Sequence, residues 1–149
     1  MLLKELQPED CVEFHKIVRQ LSPEAELPSS YQNCVNQLED SYKRVYLAYN
    51  SSKPVGTVSI LYERKINRPS INGEGFIYDR LALAAHIEEV VICKCCRGKG
   101  YGKEMMELAI EKAREEGAYK VTLDCSEANV EFYEKCGLKR YEVCMRIDL

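Results

Sequence analysis

The chain has 149 residues, 46% of them hydrophobic and 30% charged, with a net charge of −3 at neutral pH. That is the length of one domain, with enough apolar matter for a single core. The mild acidity comes in no long block of one sign, which argues against nucleic acid or a membrane surface as a partner, and no apolar run approaches the ~20 residues of a membrane span.

Residues 2–6 predict a short strand. Pro8-Glu9-Asp10 then opens a helix, with proline in its first turn and acids at its positive end. Cys11, Phe14, Val18 and Leu21 continue it at helical spacing, and Ser22-Pro23 ends it. A second short helix is expected over 30–41. Arg44–Tyr49 alternates as a strand, Asn50–Pro54 is a turn, and Val55–Tyr62 is the partner strand. Pro69, Asn72, Gly73 and Gly75 mark residues 66–84 as a loop. Ala85–Cys93 reads as a strand, its Val90–Cys93 stretch apolar like a buried central strand. A helix follows over about 103–116, with Met106, Ala109, Ile110 and Ala113 as its buried stripe and Gly117 as its stop. Val121–Cys125 is a further strand. Ser126 caps a helix that runs through Cys136 to Gly137, and Leu138–Ile147 is the last strand. The class is therefore α/β with a mixed sheet, in the order β-α-α-β-β-β-α-β-α-β. Its central strand–helix–strand unit implies a parallel pair.

Between that central strand and its helix stands Arg97-Gly98-Lys99-Gly100-Tyr101-Gly102-Lys103. Glycines at alternate positions remove side chains so that backbone N–H groups can approach a ligand closely. The helix N-terminus adds further N–H groups and partial positive charge, and Arg97, Lys99 and Lys103 add full charges. Such a turn suits a phosphate, most readily a pyrophosphate. The spacing fits neither Gly-x-Gly-x-x-Gly nor Gly-x-x-x-x-Gly-Lys-Ser/Thr.

Lys4 and Glu5 interrupt the first residues, so no signal peptide is expected. The eight cysteines, at 11, 34, 93, 95, 96, 125, 136 and 144, are expected to be reduced thiols of a cytoplasmic protein. Cys93-Lys94-Cys95-Cys96 has no second Cys-x-x-Cys pair, so no metal is expected. On residue type alone, Tyr133 suits either packing or catalysis, and Asp124 suits either an ion pair or a functional site. Glu88 and Glu89 are adjacent in a strand and are expected on opposite faces. His15 is expected at the surface or as a cap; His86, which precedes the acidic pair, is expected to serve packing, with orienting that pair as the alternative.

Arg97-x-x-Gly100-x-Gly102 resembles the pyrophosphate signature Gln/Arg-x-x-Gly-x-Gly/Ala of the GCN5-related N-acetyltransferase (GNAT) superfamily. Three further segments narrow the resemblance: His86-Ile87-Glu88-Glu89-Val90-Val91, Tyr119–Cys125, and Asn129-Val130-Glu131-Phe132-Tyr133 through Gly137. Together they are similar to the glucosamine-6-phosphate N-acetyltransferase family, strongly over 84–145 and in register over 6–65. The resemblance implies one GNAT domain over 1–149, with 66–84 as an inserted surface loop. It implies acetyl-CoA as cosubstrate and acetyl transfer to the amine of glucosamine 6-phosphate, on the route to UDP-N-acetylglucosamine. Transfer to another small amine or to a protein, and a non-catalytic acyl-CoA-binding module, are the alternatives.

The resemblance also implies roles. Val90, Val91 and Ile92 would bond the pantetheine arm, residues 97–103 the pyrophosphate, and Asn129 and Tyr133 the sulfur end. Glu88, Asp124 and Tyr133 would be catalytic. Ser22, Lys65, Arg68, Glu88, Glu89, Lys120, Asp124 and Arg146 would face the sugar phosphate. A homodimer is implied, its C-terminal strand crossing to the partner. Asp148 stands where the family has a phosphate-binding Arg, and Arg146, on the same strand face, is the candidate to replace it.

Overall fold

A computed structural model describes residues 1–24, 42–72 and 75–149, with backbone alone for 67–80. The expected helix over 30–41 lies outside the described residues. Strand β1 (Leu2–Glu5) leads through a 3-10 turn at Pro8–Asp10 into helix α1 (Cys11–Val18). Asp10 fixes this entry by accepting from the Gln7 N–H at 3.2 Å and from Lys4 Nζ at 2.9 Å. Strands β2 (Lys43–Asn50), β3 (Lys53–Asn72) and β4 (Gly75–Ile92) form an antiparallel run. Helix α2 (Tyr101–Glu115) then returns the chain to β5 (Ala118–Leu123), which pairs parallel to β4. A 3-10 turn at Glu127–Asn129 leads into the short helix α3 (Val130–Lys135). The sheet order is β1-β2-β3-β4-β5.

The sheet is buried on both faces. Tyr46, Ala48, Val58, Ile60, Ala85 and Ile87 pack on one side with Met105, Met106, Ala109 and Ala113 of α2. Each fully buried methionine side chain there stabilises by about 1.5–3 kcal/mol. The other side gathers Val45, Leu47 and Val91 with Cys11 and Ile17 of α1. His15 of α1 is buried rather than at the surface.

Two expectations change. Residues 66–84 are not an irregular loop: β3 runs on to Asn72 and β4 begins at Gly75, paired Pro69↔Leu81, Ser70↔Ile77 and Ile71↔Phe76, with irregular register around Pro69. Proline has no N–H to give to a ladder, so it interrupts the pairing without ending it. Conversely, Leu138–Ile147 joins no strand of the sheet. Its Tyr141, Val143, Met145 and Ile147 are each 82–88% exposed. The alternation that predicts a strand is present, but the segment pairs with none of the described strands. No helix among the described residues is long and apolar enough to cross a membrane.

Candidate active site

The end of β4 is where the site residues gather. Its pairing with β5 stops at Ile87↔Leu123, while β4 continues to Ile92 beside β3. Among the described residues, 88–92 therefore have a strand neighbour on one side only. The Cys93 N–H ties the end of β4 to Val55 O at 2.9 Å, and a 3-10 turn at Lys94–Cys96 follows. Gly98 and Gly100 then take φ of 74° and 82°, the left-handed region that glycine adopts without a Cβ clash. Gly100 is the N-cap of α2.

Among the described residues, the N–H groups of Gly98, Lys99, Gly100, Tyr101 and Gly102 meet no protein acceptor, while those of Lys103 and Glu104 turn back to Gly100 O at 3.1 and 3.2 Å. A Cβ placed on Gly98 or Gly100 would meet nothing within 4 Å. The turn is thus an open array of donors at a helix N-terminus, with Lys99 and Lys103 exposed beside it. Arg97 folds back to donate to Ile92 O at 3.1 Å, and the Tyr101 hydroxyl accepts from Asn50 Nδ2 at 2.6 Å. Gly102 has a different reason to be glycine: a Cβ there would lie 3.2 Å from the Phe132 ring. It lets α3 approach α2.

The acidic pair does not alternate as a regular strand would. Thr57 pairs with Val91 but Ser59 with Glu88, so β4 holds one residue more than β3 at this point. That is a β-bulge, and Glu89 carries its strain at φ 51°. The bulge brings both carboxylates to one ammonium: Lys43 Nζ lies 3.0 Å from Glu88 Oε2 and 3.1 Å from Glu89 Oε2. Ser59 Oγ donates a short hydrogen bond to Glu89. Burial alone would lower the Lys43 pKa, but the hydrogen bonds and charges of the two carboxylates outweigh it and hold it above the usual lysine value. The expected opposition of Glu88 and Glu89 is corrected accordingly. The bulge also moves Val91 onto the α1 face, while Val90 and Ile92 pack towards α2.

Across the gap, Asp124 sits just past the end of β5 and is exposed. Among the described residues its partner is neither Lys120 nor an arginine but His86, with Nε2 at 3.6 Å from Oδ2. His86 Nδ1 lies 3.0 Å from Thr122 Oγ1. Lys120 shares the Asp124 face by strand alternation, and its Nζ lies 5.7 Å from the Tyr119 ring centroid. Tyr133 is half-buried on α3, its ring edge-on to Phe132 at 4.9 Å between centroids. Burial, with the nearby thiols Cys125 and Cys136, pushes its phenol above the ordinary tyrosine value. Asn129 is exposed at the start of α3.

Other expected residues lie apart in one chain. Lys65 pairs with Glu63, opposite Ala82, whereas Ser59 opposes Glu88; at ~3.3 Å per residue, Lys65 stands roughly 20 Å along the hairpin from the acidic pair. The side chain of Arg68 lies outside the described residues. Ser22 is exposed beyond α1, two residues from Gln20, whose Oε1 accepts from the Lys94 N–H at 2.8 Å. Arg146 is on the exposed C-terminal segment, 2.7 Å from Asp148. Lys43, Ser59 and Thr122 were not legible as site residues, because only cross-strand register brings them to the carboxylates and the imidazole. Among the described residues no three His, Cys, Asp or Glu side chains group as metal ligands would.

A mixed sheet with a parallel strand–helix–strand unit, and a glycine turn at the end of its central strand, is the acyl-CoA N-acyltransferase fold. The chain belongs to the Acetyltransferase (GNAT) family, whose model matches residues 9–138. Among its relatives is the glucosamine 6-phosphate N-acetyltransferase of Schizosaccharomyces pombe, 40% identical over 62% of this chain and 73% of that protein. The Arabidopsis thaliana glucosamine 6-phosphate N-acetyltransferase is 37% identical over 64% of this chain, and the match spans only 56% of that protein. A crystal structure of glucosamine-6-phosphate N-acetyltransferase from Arabidopsis thaliana superposes with a TM-score of 0.76 at 26% identity, covering 99% of this chain and 97% of that one.

Proposed function

We propose that this protein transfers the acetyl group of acetyl-CoA to the 2-amino group of D-glucosamine 6-phosphate, giving N-acetyl-D-glucosamine 6-phosphate and CoA. The observation that carries this is the meeting of three features at the end of β4: the open N–H array of residues 98–102, the unpaired edge of residues 88–92, and the carboxylates of Glu88 and Asp124 on either side of the gap. The named relatives supply the sugar.

The residues fit the cosubstrate. The N–H groups of 98–102, with Lys99 and Lys103, would hold its pyrophosphate, and the free edge of Val90–Ile92 would take its pantetheine arm as an added strand. Its thioester supplies an already activated acyl carbon. The chain's own work is to place the amine, take its proton, stabilise negative charge on the carbonyl oxygen and give a proton to the departing sulfur. Glu88 and Asp124 flank the gap and orient the amine. Backbone N–H groups near the bulge, at Val90 and Val91, face the developing oxyanion. Tyr133 gives the proton to sulfur. Lys120, on the Asp124 face of β5, is the candidate cation for the sugar phosphate, with Ser22, Glu89, Lys65 and Arg68 as further candidate contacts and Asn129 at the sulfur end of the cosubstrate. The test is thiol release from acetyl-CoA with glucosamine 6-phosphate, glucosamine or a peptide as acceptor. Glucosamine 6-phosphate should react far faster than glucosamine, and equal rates would overturn the choice of substrate.

Because burial raises the Tyr133 pKa, its phenol stays protonated beyond the ordinary tyrosine value of about 10. It can therefore act as an acid across the working range. Tyr133→Phe is expected to lower kcat roughly tenfold to a hundredfold with acetyl-CoA affinity retained. Full activity in this variant would return Tyr133 to packing.

The homodimer is part of the same proposal. An alternating apolar segment that is almost wholly exposed in one chain is suited to a second copy. Light scattering should find a dimer, and a chain ending at Lys139 should be a monomer. Arg146→Ala should raise the KM for the sugar phosphate without changing acetyl-CoA affinity. Mixing it with an Asp124 variant should restore some activity, since one pocket of the heterodimer is then intact. No rescue on subunit exchange would count against a shared site.

A further inference from the structure

Thr122 has one hydroxyl proton, and it donates that proton to Ala85 O at 3.4 Å. With that proton directed at the carbonyl, the Thr122 oxygen can accept from His86 Nδ1 at 3.0 Å, the arrangement that satisfies both contacts. In a neutral imidazole this leaves Nε2 bare. Nε2 faces the Asp124 carboxylate at 3.6 Å, on a side chain that is still 31% exposed. A bare nitrogen makes no hydrogen bond to a carboxylate, and it makes one as soon as it takes up a proton. In that tautomer the ring's only basic atom stands beside a negative charge at the mouth of the gap between β4 and β5.

Building on the amine acetylation proposed above, we propose that His86 Nε2 accepts the proton that the substrate ammonium must lose before it attacks, with Asp124 holding the imidazolium and Thr122 fixing the ring. The ammonium N–H bond breaks and Nε2 keeps the proton. The freed lone pair forms the C–N bond as the thioester C–S bond breaks. Sulfur takes the Tyr133 proton, and the second amine proton, released as the amide forms, restores the phenol. His86 returns its proton to water. One proton thus ends on the CoA thiol and one in solvent.

Among the described residues the charged groups about the ring are few. β5 presents Asp124 and, further back on the same face, Lys120. β4 presents Glu88. The direct β3 partner of His86 is Leu61, with Glu63 next along that face, and β2 presents Lys43, already held by Glu88 and Glu89. Helix α1 packs around Val91 through Cys11 and Ile17. Of these groups, Asp124 is the one that reaches Nε2.

The test is His86→Gln, which keeps a donor towards Asp124 but takes no proton. The kcat/KM for glucosamine 6-phosphate is expected to fall about 100-fold near neutral pH. The defect should shrink below about tenfold by pH 9–9.5, as the free amine becomes abundant, and acetyl-CoA affinity should not change. A structural role would give a defect equal at all pH values, and that result would overturn the assignment. Long-range 15N spectra of histidine-labelled protein, with His86→Gln locating the signals, should show the Nδ1–H tautomer at alkaline pH. An Nε2–H tautomer would overturn it whatever the substrate. A wild-type protein that acetylates other amines but not glucosamine 6-phosphate would overturn the substrate and with it the proton donor named here. A wild type that is active on glucosamine 6-phosphate, beside a variant with a parallel pH profile, would overturn the role of His86 alone.

Discussion

Gly100→Val is expected to weaken acetyl-CoA binding by at least about 100-fold, equivalent to some 2.7 kcal/mol, in a protein that still folds. Gly100 sits at φ 82°. An L-residue in that region costs about 1–2 kcal/mol, and for a β-branched side chain it is a true outlier. The backbone would leave this conformation, and the N–H groups of residues 98–102 would no longer converge. The fold should survive, because a Cβ at Gly100 meets nothing within 4 Å. Calorimetric titration with acetyl-CoA, beside a thermal melt, separates the two effects. Gly102→Ala should behave differently. Its Cβ would press on the Phe132 ring at 3.2 Å, so the melt should fall first, and any loss of affinity should follow the packing of α3. Unchanged affinity in Gly100→Val would show that the turn is not the cosubstrate site.

Asp124→Asn is expected to cut kcat roughly 100- to 10,000-fold with acetyl-CoA affinity unchanged. The substitution keeps the shape and removes the charge that faces His86 Nε2 at 3.6 Å and the mouth of the gap. The amine of an amino sugar is largely protonated near neutral pH, so a site without that charge neither attracts the ammonium nor stabilises the proton it gives up. Glu88→Gln should also lower turnover. Its loss should be smaller, because Glu89 still holds Lys43 at 3.1 Å. Single-turnover thiol release measures the chemical step apart from product release. Asp124→Asn with turnover within a few-fold of the wild type would remove Asp124 from the chemistry.

The features that the sequence determined by itself are those that depend on neighbours along the chain. The glycine spacing at 98, 100 and 102, the buried stripe of α2, its stop at Gly117, and β1, β2 and β5 are local patterns, and the structure has them within a few residues. The α/β class with its mixed sheet followed from their order, and the GNAT fold from the resemblance of the glycine turn and the segments around it. The two carboxylates on Lys43 were not legible, because a bulge depends on the register between β3 and β4, and nothing in Glu88-Glu89 announces a positive φ at a glutamate. His86, Thr122 and Asp124 meet only because β5 lies parallel to β4 and ends where β4 runs on. The hairpin over 66–84 read as a loop because proline and glycine mark turns locally, while long-range pairing can carry a strand past them. The alternation of Tyr141, Val143, Met145 and Ile147 specified a strand but not its partner. Side-chain periodicity fixes which face is apolar, whereas the edge that receives a strand is set by which backbone N–H and C=O groups the rest of the fold leaves unpaired.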